Sequence, residues 1–401
     1  MDLKMNQNFN PISTNSRWIV LVISWLVYFA LGLLIGSLPP LVTSISSDLD
    51  LTNTQMGLIL GSGMLMYITL SLPVGMLVDR IGLKRMISIG TALVALSGLL
   101  RYFAINFETM FLAVFLIGFG GPIISIGLAK VIACSFQGNE RGLASGIYMT
   151  GVFVGLATAL TITNSVIIPI VSNWRIAFVV FGVIGFITLI IWIILMKDFE
   201  KDDELDNLVI PMKDVLRKII KLKNVWLVAI ITSAYFFAAY GLGNWLPTLL
   251  ESKGMSSVEA GVFASLPIWM GILSSGFLPK FAKPDRRKTM MALLVLIQGL
   301  MVYSVAITSG IILTGSLIVL GLCTYSIIPI LLLMLMDITE IGAEYMGIAS
   351  GILFSIGNVF AVISPLLVGY IFDFTGSLTP SILILSVMIE CVLIFIFLLK
   401  E

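Results

Sequence analysis

Twelve apolar stretches, each near the ~20 residues that a helix needs to cross a bilayer, leave this chain little choice of architecture. Six fall at about 18–41, 54–78, 86–104, 109–133, 143–169 and 176–196. Six more fall at about 225–250, 258–279, 289–308, 311–336, 346–371 and 379–399. Only 11% of the 401 residues are charged and 59% are hydrophobic, whereas a soluble domain carries about 25% charge. The solvent of this chain is therefore lipid.

The chain also repeats itself. Gly-Leu-Ala-Ser-Gly-Ile at Gly142 to Ile147 returns as Gly-Ile-Ala-Ser-Gly-Ile at Gly347 to Ile352. Leu38-Pro39, a polar loop and Gln55-Met56-Gly57 are answered at nearly the same offset by Leu246-Pro247, a polar loop and Glu259-Ala260-Gly261. In so apolar a chain, a repeat of half the length is the sign of a transporter built from two bundles around a midplane site. The expected fold is all-α and integral to the membrane, with twelve helices in two six-helix bundles related by a pseudo-twofold. Residues 1–196 and 224–401 form the bundles and 197–223 a cytoplasmic linker.

Orientation follows from Lys and Arg, which stay on the cytoplasmic side when loops are short. With the N-terminus inside, internal segments hold Arg80, Lys84, Arg85, Arg141, the basic stretch Lys213 to Lys223, and Lys280 to Lys288. The outer loops and their margins hold Arg101, Arg175 and Lys253. A multi-pass plasma-membrane protein with both termini in the cytoplasm is expected. The first apolar run is too long for a cleavable signal peptide. A net charge of +1 gives no reason to expect a nucleic-acid partner.

Chemistry is narrowly bounded. With no histidine in the sequence, imidazole relays and histidine zinc sites are excluded. Cys134, Cys323 and Cys391 show no metal-ligand spacing and read as small packing residues. HExxH, P-loop and Gly-x-Ser-x-Gly motifs are absent. The expectation is no enzyme, no catalytic residue, no metal and no cofactor. Between the halves the linker begins acidic, from Asp198 to Asp206, and ends basic. From Pro211 onward it reads either as an amphipathic helix on the membrane face or as a solvated tether. Glycines and serines within spans, among them Gly118, Gly120, Gly121, Ser145, Gly146, Gly151 and Gly155, allow close helix approach.

After the second span the chain reads Gly75-Met-Leu-Val-Asp79-Arg80-Ile-Gly82-Leu-Lys84-Arg85. This resembles the loop 2–3 signature of the major facilitator superfamily, G-x-x-x-D-R-x-G-x-[KR]-[KR]. Positive-inside anchoring alone accounts for the cations but not for Asp79 or the glycines. Ser135 to Gly142 resembles the W-F-P-x-x-E-R-G turn of anion-type carriers, with Trp and Pro replaced. Trp174-Arg175, Trp245-Leu246-Pro247 and Asp373-Phe-Thr-Gly376 resemble cyanate/nitrate-type facilitators. The resemblance implies that Asp79 faces the N-terminus of the eleventh helix near Tyr345 to Gly347 in the outward-open state, as a latch. Arg80, Lys84, Arg85 and Arg141 belong to the same charge cluster, with Gly75 and Gly82 shaping the turn.

By the same resemblance helices 1, 4, 7 and 10 line the cavity, 2, 5, 8 and 11 form the interface between halves, and 3, 6, 9 and 12 stay outside. Candidate substrate-binding residues are then Tyr28, Lys130, Tyr235, Tyr240, Asn244, Tyr325 and Asn358. Each polar group at membrane depth is either a helix-packing contact or a hydrogen-bond partner for a substrate. Lys130 either snorkels to water or offers a cation to an anion. Arg101 reads as interfacial, and Glu390 as a structural pair or protonated acid. Helices 1, 4, 7 and 10 have no mid-span carboxylate to relay protons. The favoured function is alternating-access transport of a small anion by a monomer, with the lipid bilayer as surroundings and the coupling ion open. The runner-up is efflux of an apolar or cationic compound. A transport-inactive sensor would carry a cytoplasmic domain for which 197–223 leaves no room.

Overall fold

The computed structural model describes residues 14–71, 73–197, 217, 219–338 and 342–399. Almost all of the linker, with its expected amphipathic helix, lies outside the described residues. So do the side chains of Asp79 and Tyr345, and with them the expected latch contact.

All twelve expected spans are helical. They are α1 (Thr14–Gly36), α2 (Asn53–Leu70), α3 (Leu83–Leu100), α4 (Phe107–Ser135), α5 (Gly138–Ile162) and α6 (Trp174–Leu195). The second set is α7 (Lys223–Ser252), α8 (Ser257–Phe277), α9 (Arg287–Ile307), α10 (Gly310–Met336), α11 (Gly342–Thr375) and α12 (Leu378–Cys391). Among the described residues eleven helices are long and apolar enough to cross a membrane. The second span opens with polar Asn53-Thr54-Gln55 and continues beyond Leu72 as the helix Pro73–Ile81. The last span departs from the single helix expected over 379–399. Bonds from Val392 N to Ile389 O and from Phe395 N to Val392 O tighten the chain there, and a separate helix, Leu393–Leu398, follows.

Local chemistry explains where the helices begin and bend. Thr52 and Gln55 cap α2 reciprocally, and Ser256 and Glu259 do the same for α8, satisfying amides that no helical carbonyl reaches. The α5 helix passes into a π turn over Thr163–Ile167. Pro169 supplies no amide there, and Thr163 and Ser165 bond back to the carbonyls of Ala159 and Thr161, so the regular ladder is broken.

The pairing of helices repeats with a shift of six. In the first half α1 packs on α5, α2 on α4, and α3 on both α4 and α6. In the second α7 packs on α11, α8 on α10, and α9 on both α10 and α12. The halves meet through α2 with α11 and α5 with α8. Within the first half two Gly-x-x-x-Gly pairs face each other. A Cβ on Gly32 would lie 2.2 Å from the Val152 carbonyl oxygen, and one on Gly155 would lie 2.2 Å from that of Phe29. Such bare backbones let van der Waals packing hold helices together in lipid.

Both ends of the molecule carry loops, and the end with Arg80, Lys84 and Arg85 is called here the basic end. At the opposite, far end the halves close on each other. A Cβ on Gly57 would meet the Pro365 oxygen at 2.4 Å, and one on Gly261 the Leu160 oxygen at 2.4 Å. Asn164 Nδ2 reaches from the π turn to the Ser257 carbonyl at 3.2 Å, and Thr43 donates to Glu251 at 2.7 Å. Towards the basic end Gly75, Gly142, Gly146 and Gly276 have open space where a Cβ would stand. Among the described residues the halves are closed on each other at the far end and open at the basic one.

Two expectations need correction. Arg101 is not interfacial but 0% exposed, with Nη1 donating to Leu34 O and Ser37 Oγ and Nη2 to Ser97 Oγ. Its guanidinium also lies 4.8 Å from the Phe178 ring. It sits against the last carbonyls of α1, where the helix dipole favours a cation. Of the cysteines only Cys323 is buried; Cys391 is exposed. At the far-end surface Lys253 donates to the carbonyls of Ala306 and Thr308 at the close of α9, and partial burial holds its ammonium below the usual lysine range.

Candidate functional site

At mid-span the two halves present tyrosines to one another. Tyr28 comes from α1, Tyr148 from α5, Tyr235 and Tyr240 from α7, and Tyr325 from α10. Tyr67, on α2, completes the set. The neutral phenols lie near one another, Tyr28 by Tyr67, Tyr148 and Tyr240, and Tyr325 by Tyr235 and Tyr240. Five of the six are only partly buried, although they stand in the middle of membrane helices; Tyr148 alone is fully buried.

The site is held by rings and by glycines. Tyr28 packs on Tyr148 with centroids 5.6 Å apart and donates to Ser125 Oγ at 3.3 Å. Phe236 stacks on Tyr240 at 5.7 Å, and Phe153 meets Tyr325 edge-on across the halves at 5.3 Å. Met64 of the first half packs with Phe236 and Ala361 of the second in an apolar plug. Glycines make the seats: a Cβ on Gly121 would stand 2.2 Å from the Tyr67 hydroxyl, and one on Gly271 would stand 2.2 Å from the Tyr325 ring. Among the described residues the hydroxyls of Tyr235, Tyr240 and Tyr325 make no hydrogen bond, so they are available to a solute.

The sequence candidates divide accordingly. Tyr28, Tyr235, Tyr240 and Tyr325 are brought together. Asn244 and Asn358 each spend an amide N–H on their own helix, on the carbonyls of Tyr240 and Phe354, both at 2.8 Å. Lys130 is half-buried and engaged within the protein. It follows Gly120, Ile123 and Gly127 at helical spacing, and Gly120 and Gly127 are where α4 packs on Gly90, Val94 and Ile87 of α3. Ser125 and Gly121, which meet Tyr28 and Tyr67, lie on another face. Lys130 thus belongs to the stripe facing α3 and not to the tyrosine face. Tyr67 and Tyr148 escaped the sequence reading because they sit on helices assigned to the interface. Their signal was a mid-span tyrosine, the same that marked Tyr28.

At the basic end Arg80, Arg85 and Arg141 are exposed and Lys84 is half-buried. The Lys84 carbonyl accepts from the Trp192 indole at 3.2 Å. Gly82 turns the chain at φ +99°, a left-handed geometry that glycine adopts without strain. Glu140 pairs with Arg17 of α1 at 2.7 Å. Among the described residues no group of His, Cys, Asp and Glu could hold a metal.

Two six-helix halves, closed at one end around a shared midplane site, define a membrane carrier. Residues 24–364 match the Major Facilitator Superfamily, and the chain belongs to that family of transporters, which are not enzymes. It is 26% identical over 382 residues to the uncharacterized transporter YycB of Bacillus subtilis, covering 93% of this chain and 91% of that one. It is 24% identical over 416 residues to a probable galactarate/D-glucarate transporter of the same organism, covering 91% and 87%. Relatives at 23%, 22% and 21% identity are named, in that order, as a hexuronate transporter of Bacillus subtilis, a probable sulfoacetate transporter of Cupriavidus necator and a nitrite extrusion protein of Bacillus subtilis. The fold is that of a bacterial homolog of the human lysosomal transporter Spinster, solved inward-facing and unoccupied, at TM-score 0.80 and 17% identity over 96% of this chain and 97% of that one.

Proposed function

We propose that this secondary transporter carries a small organic or inorganic anion by alternating access, with its basic loops in the cytoplasm. The reading rests on the cluster of tyrosine hydroxyls that both halves bring to mid-span, on helices without a mid-span carboxylate. Phenolic O–H groups donate to an anion, and no fixed negative charge opposes it. The relatives named for sugar diacids, hexuronate, sulfoacetate and nitrite support the same class. The orientation is supported by the far-end cations: Arg101 is buried, Arg175 is paired with Asp48, and Lys253 is bonded to carbonyls. In this orientation the open end faces the cytoplasm.

Counterflow in liposomes with a panel of labelled sugar acids, sulfonates and inorganic anions is the direct test. Once an anion is found, Tyr240→Phe and Tyr325→Phe are each expected to raise its apparent KM about tenfold, the loss of one hydrogen bond to a charged group. Unchanged KM in both variants would exclude the hydroxyls from binding. The ring-lined site also suits a lipophilic cation through cation–π contact. Uptake of such cations with no anion transported would put efflux of apolar or cationic compounds first.

The place of Lys130 gives a separate prediction. On the α3-facing stripe, its charge acts on helix packing at the basic end and so on the exchange between states. Lys130→Gln is expected to lower the maximal rate several-fold, by about 1 kcal/mol, while KM stays within a factor of two or so. A tenfold rise in KM at unchanged maximal rate would instead place Lys130 on the substrate.

A further inference from the structure

Two segments of the chain share a pattern that the six-helix repeat does not produce. One is Gly75-Met-Leu-Val-Asp79-Arg-Ile-Gly82, and the other is Gly369-Tyr-Ile-Phe-Asp373-Phe-Thr-Gly376. Both read Gly-x3-Asp-x2-Gly, and both final glycines have positive φ, +99° and +68°. The first closes the second span and the second closes α11. Under the twofold α2 corresponds to α8, and α11 to α5, so this likeness has another origin. The second span and α11 run in opposite directions side by side, as helices of inverted repeats do. Each helix therefore ends near the start of the other.

At the far end this pairing is made. Asp373 Oδ1 accepts from the Asn53 backbone N–H at 2.9 Å and from its Nδ2 at 2.8 Å. Oδ2 accepts from the Thr54 backbone N–H at 2.7 Å and from its Oγ1 at 2.5 Å. Two of these donors are first-turn amides of α2, which have no helical acceptor and lie at the positive end of the dipole. One turn before Asp373, a Cβ on Gly369 would stand 2.1 Å from the Asn53 oxygen. Only a glycine lets the two backbones come this close. At the basic end the matching glycine, Gly75, has nothing within 4 Å of its Cβ position.

We propose that Gly369, Asp373 and Gly376 form a second latch, which holds the far end shut, and that it alternates with the Asp79 latch at the basic end. One carboxylate docks on a helix N-terminus in each state, so neither state is favoured by a charge the other lacks. The proposal rests on the alternating-access reading but not on any substrate class.

The test reads conformation and needs no substrate. Spin labels at Ser44→Cys and Ser252→Cys, in full-length protein with the three native cysteines replaced by serine, report the far-end distance in nanodiscs. Asp373→Asn and Gly369→Ala are each expected to raise the far-end-open to far-end-closed ratio on the order of tenfold. Asp79→Asn should lower that ratio, and the Asp79→Asn, Asp373→Asn double variant should return towards the parent. An unchanged distance distribution in both Asp373→Asn and Gly369→Ala overturns the proposal. So does a shift that Asp79→Asn repeats instead of opposing.

Discussion

Gly32→Leu and Gly155→Leu are each expected to leave almost no folded transporter, while Gly243→Ala and Gly315→Ala are tolerated. A Cβ on Gly32 or Gly155 would stand 2.2 Å from a carbonyl oxygen of the facing helix, and backbone cannot move aside as a side chain can. Separating α1 from α5 would also part Gly36 from Leu156 and Gly151 from Trp25, which are seated at 2.8 and 2.6 Å by the same measure. Overpacking a single core site costs about 1–3 kcal/mol; opening four linked approaches exceeds that. Gly243 and Gly315 have open space at the Cβ position, so alanine there gains about 0.5–1 kcal/mol of helix preference. Fluorescence-detected size exclusion after a heating series, with all four variants expressed in parallel, checks this. Monodisperse Gly32→Leu or Gly155→Leu protein that melts like the parent would show that the α1–α5 seam does not carry the first half.

The repeats proved more informative than their length suggests. Gly142 to Ile147 and Gly347 to Ile352 open α5 and α11, which hold equivalent places in their halves. The helix count was legible because crossing a bilayer demands length and apolarity together. Legibility fails where a side chain's fate depends on what stands opposite. Arg101 reads as interfacial from its depth, yet Leu34, Ser37 and Phe178 enclose it. Asn244 and Asn358 look like substrate ligands at their depth, but each amide finds a carbonyl four residues back. That option exists on any helix and meets one of the amide's two donors, leaving the other N–H and the oxygen unspent. Lys130 could have been assigned to its stripe from Gly120, Ile123 and Gly127 alone, had the facing helix been known. Tyr67 and Tyr148 show that a helix assigned to an interface can also face a cavity where that interface opens.

Gly57→Val and Gly261→Val are expected to abolish transport to the same degree, on the order of a hundredfold or more, with the protein still folded. These glycines answer each other in the sequence repeat, on α2 and α8, and each lies against the other half. Their Cβ positions stand at equal distance, 2.4 Å, from the carbonyl oxygens of Pro365 and Leu160. Neither contact lies within a bundle, so a branched side chain there spares the packing of each half and strikes only the closed far end. The states of a carrier differ by a few kcal/mol. A penalty of about 1–3 kcal/mol or more on one of them, where 1.4 kcal/mol is tenfold, leaves the far end open almost permanently. A carrier that cannot close one end cannot complete a cycle. Gly63→Ala supplies the contrast, since its nearest neighbour, Ile117 within the same half, is at an ordinary 3.8 Å; transport there should stay within about twofold of the parent. Initial-rate uptake in liposomes, with melting temperatures recorded on the same preparations, separates loss of cycling from loss of fold. Near-parental transport by either valine variant would mean that the far end does not close through the seam that the repeat encodes.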